Sequence, residues 1–580
     1  MPEKNVSQFN RKFFDPEKRI TFIGTGSLGG KAQSLADINN SLNESDDLNS
    51  FSNIQVNIPT LAVIRTDVFD AFMKNNNLYE IALSERPDDR ISHAFQKAEL
   101  PFAILGDLRA LVNEVHSPLA VRSSSRLEDA MFEPFAGIYG TKMTPNNQHD
   151  ADTRFKKLVE AIKFVYASTF FKAAKNYIKA TKHKIEDEKM AVIIQEVVGQ
   201  RHDDRYYPQL SGVARSYNFY PMSRANPEDG VVNLALGLGK TIVDGGLCWT
   251  YSPAYPTINP PFANVGDMLK QTQTNFWAVN MGKAPAYDPI NETEYMNNEN
   301  IIIADKDGAL PFLASTVDKY SGRLAIGTGA DGARILTFAP LLQLDDIPLN
   351  DCIKSLLNIC EKAFENPVEI EFAMTFNDGK DADQKHRFGL LQVRHMVVSN
   401  DEIEISPDEF DKDSNLAASL KTLGNGLNES IQEIVYVRPE KFEAKYTQKI
   451  AYEIESINKK MVRENRDYVL IGFGRWGSSD PWLGIPVDWS QVSAAKTIVE
   501  ATLENMNVEL SQGSHFFHNL TSFGVTYFSV QFNGPHNIDW DWLNNQPAEE
   551  ETDFVRHVKL DSPLQIKVDG RSGSGIINKP

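Results

Sequence analysis

Leu119-Ala120-Val121-Arg122-Ser123-Ser124-Ser125-Arg126-Leu127-Glu128-Asp129 is the stretch on which the reading of this chain turns. Its apolar opening, 119–121, reads as a buried strand. The strand ends in an arginine, three hydroxyls and a second arginine. Two planar guanidinium forks beside adjacent hydroxyls make a dense anion site. The plainer alternative is a helix cap with solvated charges, since Ser-x-x-Glu patterns cap helices. The close packing of Arg-Ser-Ser-Ser-Arg weighs against it.

Upstream, Gly24-Thr25-Gly26-Ser27-Leu28-Gly29-Gly30-Lys31 follows an apolar TFI and precedes a helix-like KAQSLADI. Glycines here would let backbone N–H groups approach phosphate oxygens, and Lys31 would add a point charge. A dinucleotide fingerprint or a bare turn fits the same pattern. Downstream, VEIEFAM (368–374) and FGLLQVR (388–394) read as strands. Period two puts Glu369 and Glu371 on one face of the first, and Gln392 and Arg394 on one face of the second. A carboxylate with a neighbouring amide oxygen suits a magnesium ion bridging phosphates. For either strand alone, an exposed edge face is the alternative.

Further outward, 59–82 reads as a strand followed by a helix, and 152–182 as one long amphipathic helix. MAVIIQEVV (190–198) is a short apolar strand, and VVNLALGLGKTIVDGG (231–246) a strand running into a glycine-rich turn. Residues 41–53 and 250–300 read as loops. Composition turns acidic and polar over 401–418, which marks a domain boundary. Residues 440–462 look helical, 467–533 form a second compact region rich in Gly, Trp and Phe, and the end of the chain reads as a poorly packed polar tail.

The whole chain of 580 residues is too long for one core. Hydrophobic residues make up 41% and charged residues 24%, ordinary for a soluble globular protein. A net charge of -19 argues against nucleic acid or an anionic membrane as partner. Cys248, Cys352 and Cys360 form no CxxC pair, so neither a disulfide framework nor a zinc site is expected, and a reducing cytoplasm fits. The N-terminal stretch has no apolar h-region, and no run is long enough to span a membrane.

Taken together and in order, these segments resemble the nucleotide-binding domain of pyruvate phosphate dikinase and phosphoenolpyruvate synthase over about residues 20–398. LAVRSSSRLEDA…FAGIYGT is close to the family's most specific element. Gly29-Gly30-Lys31 is similar to its Gly-Gly-Lys, MAVIIQEVVG to its adenine-facing strand, and ALGLGKTIVDGG to its glycine turn. EIEFA and LLQVR resemble its closing strand pair. The resemblance implies an α/β, ATP-grasp-type two-lobed domain with ATP and Mg2+ in the cleft. It implies that Gly29, Gly30, Lys31, Arg122 and Ser123 bind phosphates, and that Gln195, Glu196 and Val198 line the adenine pocket. Glu371 and Gln392 would hold magnesium, and Arg394 would complete the phosphate cage.

Three positions depart from the family. Lys240 stands where it usually has a glutamate, His395 where it has proline, and Lys172 or Lys175 where its long helix has an arginine. The chain after 400 has no room for the family's barrel of ~250 residues. VELSQGSHFFHNLTSFGV faintly resembles the family's swivelling histidine domain, which makes His515 a candidate phosphoacceptor, with Ser511, Gly513 and Ser514 as donors. The alternative is that His515 and His518 are satisfied polar residues beside an aromatic core. In GRWGSSDPW (474–482), Arg475 with Ser478, Ser479 and Asp480 could read a small anion, or Trp476 and Trp482 could simply pack a tight loop.

The expected layout is one lobe over 15–190, a second over 191–400, an acidic helical linker over 401–462, a small α/β domain over 463–535 and a polar tail over 536–580. The expected function is ATP-dependent phosphoryl transfer to a histidine, a small molecule or a protein partner. The alternative is an ATP-sensing module that catalyses little.

Overall fold

Leu61–Ile64 is apolar and buried at every position, the pattern of a strand covered on both faces. The computed structural model describes residues 6–580 apart from 16–17, 127, 129–136, 180–183, 220, 222–223, 245, 261, 263, 346, 378–383, 397, 399–402, 465, 479–481, 488, 505 and 507–524. Around Leu61–Ile64 a six-stranded sheet forms in the order Ser7–Gln8, Ile20–Ile23, Leu61–Ile64, Met190–Glu196, Leu119–Ser125, Thr141–Thr144. Helix Thr66–Asn75 buries Val68, Phe69 and Phe72 in the core beneath it. Helix Ala151–Ser168 begins at Asp150, whose carboxylate accepts the Thr153 N–H at 2.7 Å.

The long helix expected over 152–182 is broken. The chain turns at 169–171 and restarts as Lys172–Lys179. The Lys172 N–H donates to Asp88 Oδ1 at 2.8 Å, so the second helix is capped by a residue remote in sequence. No local pattern carries that signal.

A second six-stranded sheet runs Trp249–Tyr251, Val231–Ala235, Leu210–Arg215, Val368–Thr375, His386–His395, Ile54–Asn57. Helix Leu349–Phe364 covers it with Cys352, Ile353, Leu356 and Cys360, spaced three and four apart. Burial pushes the Cys352 and Cys360 thiols up to about 12, consistent with inert packing roles. The expected lobe boundary at 190/191 needs correcting. Ile54–Asn57 pairs with His386–His395 in the second sheet, while Met190–Glu196 belongs to the first. Helix Gly30–Asn43 also buries its Leu35 and Ile38 in the second sheet's core. Stretch 250–300, expected as loop, holds paired strands Asn275–Asn280 and Met296–Asn300.

The linker and the tail need correcting as well. A seven-stranded sheet runs Thr422–Leu423, Thr526–Val530, Ala495–Ala501, Tyr468–Phe473, Glu433–Val437, Val555–Lys559, Ala548–Glu551. Asn415–Ser419 pairs with Ser574–Asn578, so the presumed linker and tail are parts of one module. Polar composition hid a period-two pattern: in Gln565–Asp569, Ile566 and Val568 are buried and their neighbours are not. Helix Thr447–Glu464 packs on this module, in line with the helical reading there. The module touches both lobes. Tyr217 Oη donates to Gly570 O at 3.4 Å, and helix Lys172–Lys179 lies beside Trp489–Gln491. Among the described residues, no helix is long and apolar enough to cross a membrane.

Candidate functional site

Facing residues of the two lobes' sheets enclose a cavity of about 250 Å³. Lys31, Arg122, Gln195, Glu196 and Val198 line it from the first lobe's side, and Glu371, Gln392 and Arg394 from the second sheet. The strand register explains why. Glu371 lies opposite Gln392 and Glu369 opposite Arg394, as period two requires. A bulge between Glu371 and Phe372 shifts the pairing so that Leu391 has no partner across the ladder.

Arg122 spans the cleft. From its first-sheet strand it donates to Gln392 Oε1 at 2.8 Å, Leu391 O at 3.0 Å and Gln195 Oε1 at 3.4 Å, and lies 3.6 Å from Glu371 Oε2. Gln195 Nε2 is buried in the cavity wall with no partner among the described residues. Glu196 is held by a two-pronged bond from Arg387, at 3.0 and 2.7 Å, which also ties the sheets together. Arg394 pairs with Glu369, whose other oxygen accepts from Arg215 at 2.5 Å. This expected phosphate-cage arginine is therefore already braced by a shared buried carboxylate.

Lys31 pairs with Glu128 at 2.8 Å, a carboxylate only 1% exposed. Glu128 also accepts from the Ser123 hydroxyl at 2.7 Å and the Ser125 N–H at 2.9 Å. Here the structure departs from the expected phosphate cradle. Ser123, Ser124 and Ser125 are all fully buried. Ser124 accepts the Ala32 N–H at 3.1 Å and donates to Leu28 O at 2.9 Å, closing the start of helix Gly30–Asn43. Gly29 and Gly30 serve close packing against protein: a Cβ there would lie 1.7 Å from Ser124 O and 1.8 Å from Glu128 O. Gly29, Gly30 and Ser123 lie beside Lys31 but outside the cavity wall. Gly24 and Gly26 wrap the next helix start, with the Thr25 N–H on Asp67 Oδ1 at 2.7 Å.

Of the departures, Lys240 lies in the cavity wall, 3.0 Å from Asp244. Lys175 is buried, donates to Ser84 O at 2.5 Å and is not part of the cavity wall. His395 packs edge-on against Phe364, and burial lowers its pKa. His515 and His518, with Ser511, Gly513 and Ser514, fall outside the described residues, as do Ser479 and Asp480. Trp476 is fully buried and donates its Nε1–H to Val499 O at 3.2 Å, whereas Trp482 is 76% exposed. Only one of the two tryptophans packs the loop.

Sequence reasoning missed Arg387 and Glu292. Arg387 sits one residue before the quoted FGLLQVR, on the same strand. Glu292 lies in a stretch without periodicity, and no sequence signal marks it.

Glu188, beside Ser125 and Glu128, is pushed up to about 7, chiefly by burial. In the unfolded chain it would ionise near 4.5. Between those values the native state holds a proton that the unfolded chain releases, so stability falls as pH rises through that window. Glu188→Gln is expected to flatten this slope and to be more stable than the parent at pH 8, by up to about 3 kcal/mol. Urea midpoints at pH 5 and pH 8 measure it. Equal pH slopes in the two proteins would refute the assignment.

Two facing sheets, a cleft between them and converging cations and carboxylates define a two-lobed protein of nucleotide-binding architecture. The chain belongs to the family described as pyruvate phosphate dikinase, AMP/ATP-binding domain, which it matches over residues 25–414. A stretch of 190 residues, 33% of this chain, is 26% identical to an uncharacterized phosphotransferase, YvkC, of Bacillus subtilis (strain 168). The match covers 20% of that relative's length.

Proposed function

We propose that this chain binds ATP with magnesium in the cleft and passes a phosphoryl group to an acceptor. The reach of Arg122 carries the reading: one guanidinium, fixed by Gln195, Leu391 and Gln392, stands beside Glu371 in the cavity. A planar fork held this way is preorganised for phosphate oxygens. Lys31 would add a second cation, and Arg394 would bound the phosphate end. Gln195, Glu196 and Val198 would hold the base, where Gln195 Nε2, without a partner among the described residues, offers a donor to a ring nitrogen. Glu371 and Gln392, opposite each other across the ladder, offer the hard oxygens that magnesium takes. Bound magnesium would supply charge neutralisation at the phosphates. The chain's own part is to position the phosphates and set fixed cations against the charge that moves during transfer.

The acceptor is open between His515, a small molecule and a protein partner. The presence of Lys240 in the cleft favours a second reading, an ATP sensor with little turnover. Intact-protein mass after incubation with Mg-ATP, with nucleotide products run alongside, separates them. An acid-labile added phosphate that His515→Ala removes, with AMP formed, would assign the acceptor to His515. Bound ATP with neither phosphoprotein nor product would point to the sensor or to a kinase still waiting for its acceptor. Failure to bind ATP would end both readings.

A further inference from the structure

Residues 283–295 leave the strand Asn275–Asn280 and return as Met296–Asn300. Between them the chain crosses to the first lobe and is anchored there. Ser92 Oγ donates to Pro289 O at 2.6 Å. Lys142, only 4% exposed, donates to Asn291 O at 2.5 Å and pairs with Glu294 at 2.6 Å. A buried ion pair is an expensive anchor unless its geometry is fixed. This one fixes the strap so that Glu292, two residues before Glu294, enters the cavity wall.

There Glu292 Oε1 accepts the Thr141 N–H at 3.1 Å. Thr141 lies opposite Arg122 in the first sheet, so the carboxylate sits level with the proposed phosphate fork. Lys31 and Lys240 line the same cavity. We propose that Lys240, Lys31 and the Thr141 N–H form a phosphoryl-binding subsite, and that Glu292 is its resident anion, displaced when a phosphate arrives. The proposal rests on the nucleotide reading for Lys31 and extends it to Lys240 and Glu292.

The chemistry supports an anion position. A backbone N–H and two ammonium groups are donors only, so any group held by all three must accept. As it stands, Lys31 is paired with Glu128 and Lys240 with Asp244, and Glu292 takes the Thr141 N–H. Burial pushes the Glu292 carboxyl up; Lys240, then the Thr141 N–H and least of all Lys31 pull it back toward ionisation, and Asp244 opposes them. A carboxylate in a desolvated place, held by one backbone N–H, is a weaker partner there than a more highly charged phosphate. Lys240, where the resemblance led one to expect a glutamate, thus adds a cation to this cleft.

The test is calorimetric binding of inorganic pyrophosphate, AMP and ATP to the full chain and to Glu292→Gln and Lys240→Ala. Glu292→Gln keeps the shape and an oxygen for the Thr141 N–H but removes the competing charge. It is expected to tighten pyrophosphate and ATP by about fivefold to tenfold, with AMP unchanged. Lys240→Ala is expected to weaken both by a similar factor, again sparing AMP. Melting curves check that each variant is folded, and the two variants test the proposal independently. Weaker ATP binding in Glu292→Gln, or unchanged pyrophosphate binding in Lys240→Ala, overturns it. If ATP binds no better than pyrophosphate while the variants behave as expected, the subsite stands and the nucleotide reading falls.

Discussion

Arg122→Ala is expected to weaken Mg-ATP binding by at least about 100-fold, the largest effect of any single substitution in the cleft. The side chain makes contacts on two sheets at once, to Gln195 on one and to Leu391 O, Gln392 and Glu371 on the other. Its removal deletes a phosphate fork, worth about 1.5–3 kcal/mol per charged hydrogen bond. It also strands the Glu371 carboxylate, 18% exposed, without its cation. Both changes act against an incoming anion, so they add in sign. Arg122→Lys keeps the charge but not the fork and is expected to recover only part of the loss. Titration of Mg-ATP by calorimetry reads both variants. Parent-like affinity in Arg122→Ala would remove the site from this cleft.

Gly30→Ala is expected to destabilise the fold by about 3–5 kcal/mol, with Gly29→Ala at least as severe. A Cβ on Gly30 would stand 1.8 Å from Glu128 O, and one on Gly29 1.7 Å from Ser124 O. Both neighbours are backbone atoms of a central strand or the turn that ends it, so no side chain can swing aside. Gly29 also sits at φ +77°, a region that costs other residues extra. Gly329→Ala, where a Cβ meets nothing within 4 Å, is the control and should fall within about 1 kcal/mol of the parent. Soluble yield and urea midpoints decide the matter. A Gly30→Ala protein that folds normally and loses only ATP would show that the glycines serve the phosphates after all.

That contrast marks where the sequence was legible and where it was not. Glu369 with Glu371, and Gln392 with Arg394, could be read as sharing a strand face because period two is local; the register that sets Glu371 opposite Gln392 and Glu369 opposite Arg394 was not legible. The glycines and serines around Lys31 were visible as a motif, but their partners are backbone atoms about a hundred positions away, which no spacing reveals. The helix break at 169–171 depends on Asp88, and the cavity position of Glu292 on the Lys142–Glu294 anchor. Both are decided by tertiary contact. The linker and tail of the module after 400 were misread because strands there carry charge on one face, and charge was taken for solvation.

The pairing of Asn415–Ser419 with Ser574–Asn578 reaches beyond architecture to the order of events during synthesis. Glu433–Val437, flanked by Tyr468–Phe473 and Val555–Lys559, lies inside its sheet, so a central strand waits for a partner made more than a hundred residues later. Long-range pairings of this kind close slowly, since loop entropy is spent before contacts repay it. The two sheets that form the cleft need nothing beyond His395 for their strands. The emerging chain can therefore complete those sheets while the later segment still exposes unpaired strand edges. Its folding yield should depend on chaperones more steeply than that of the cleft region.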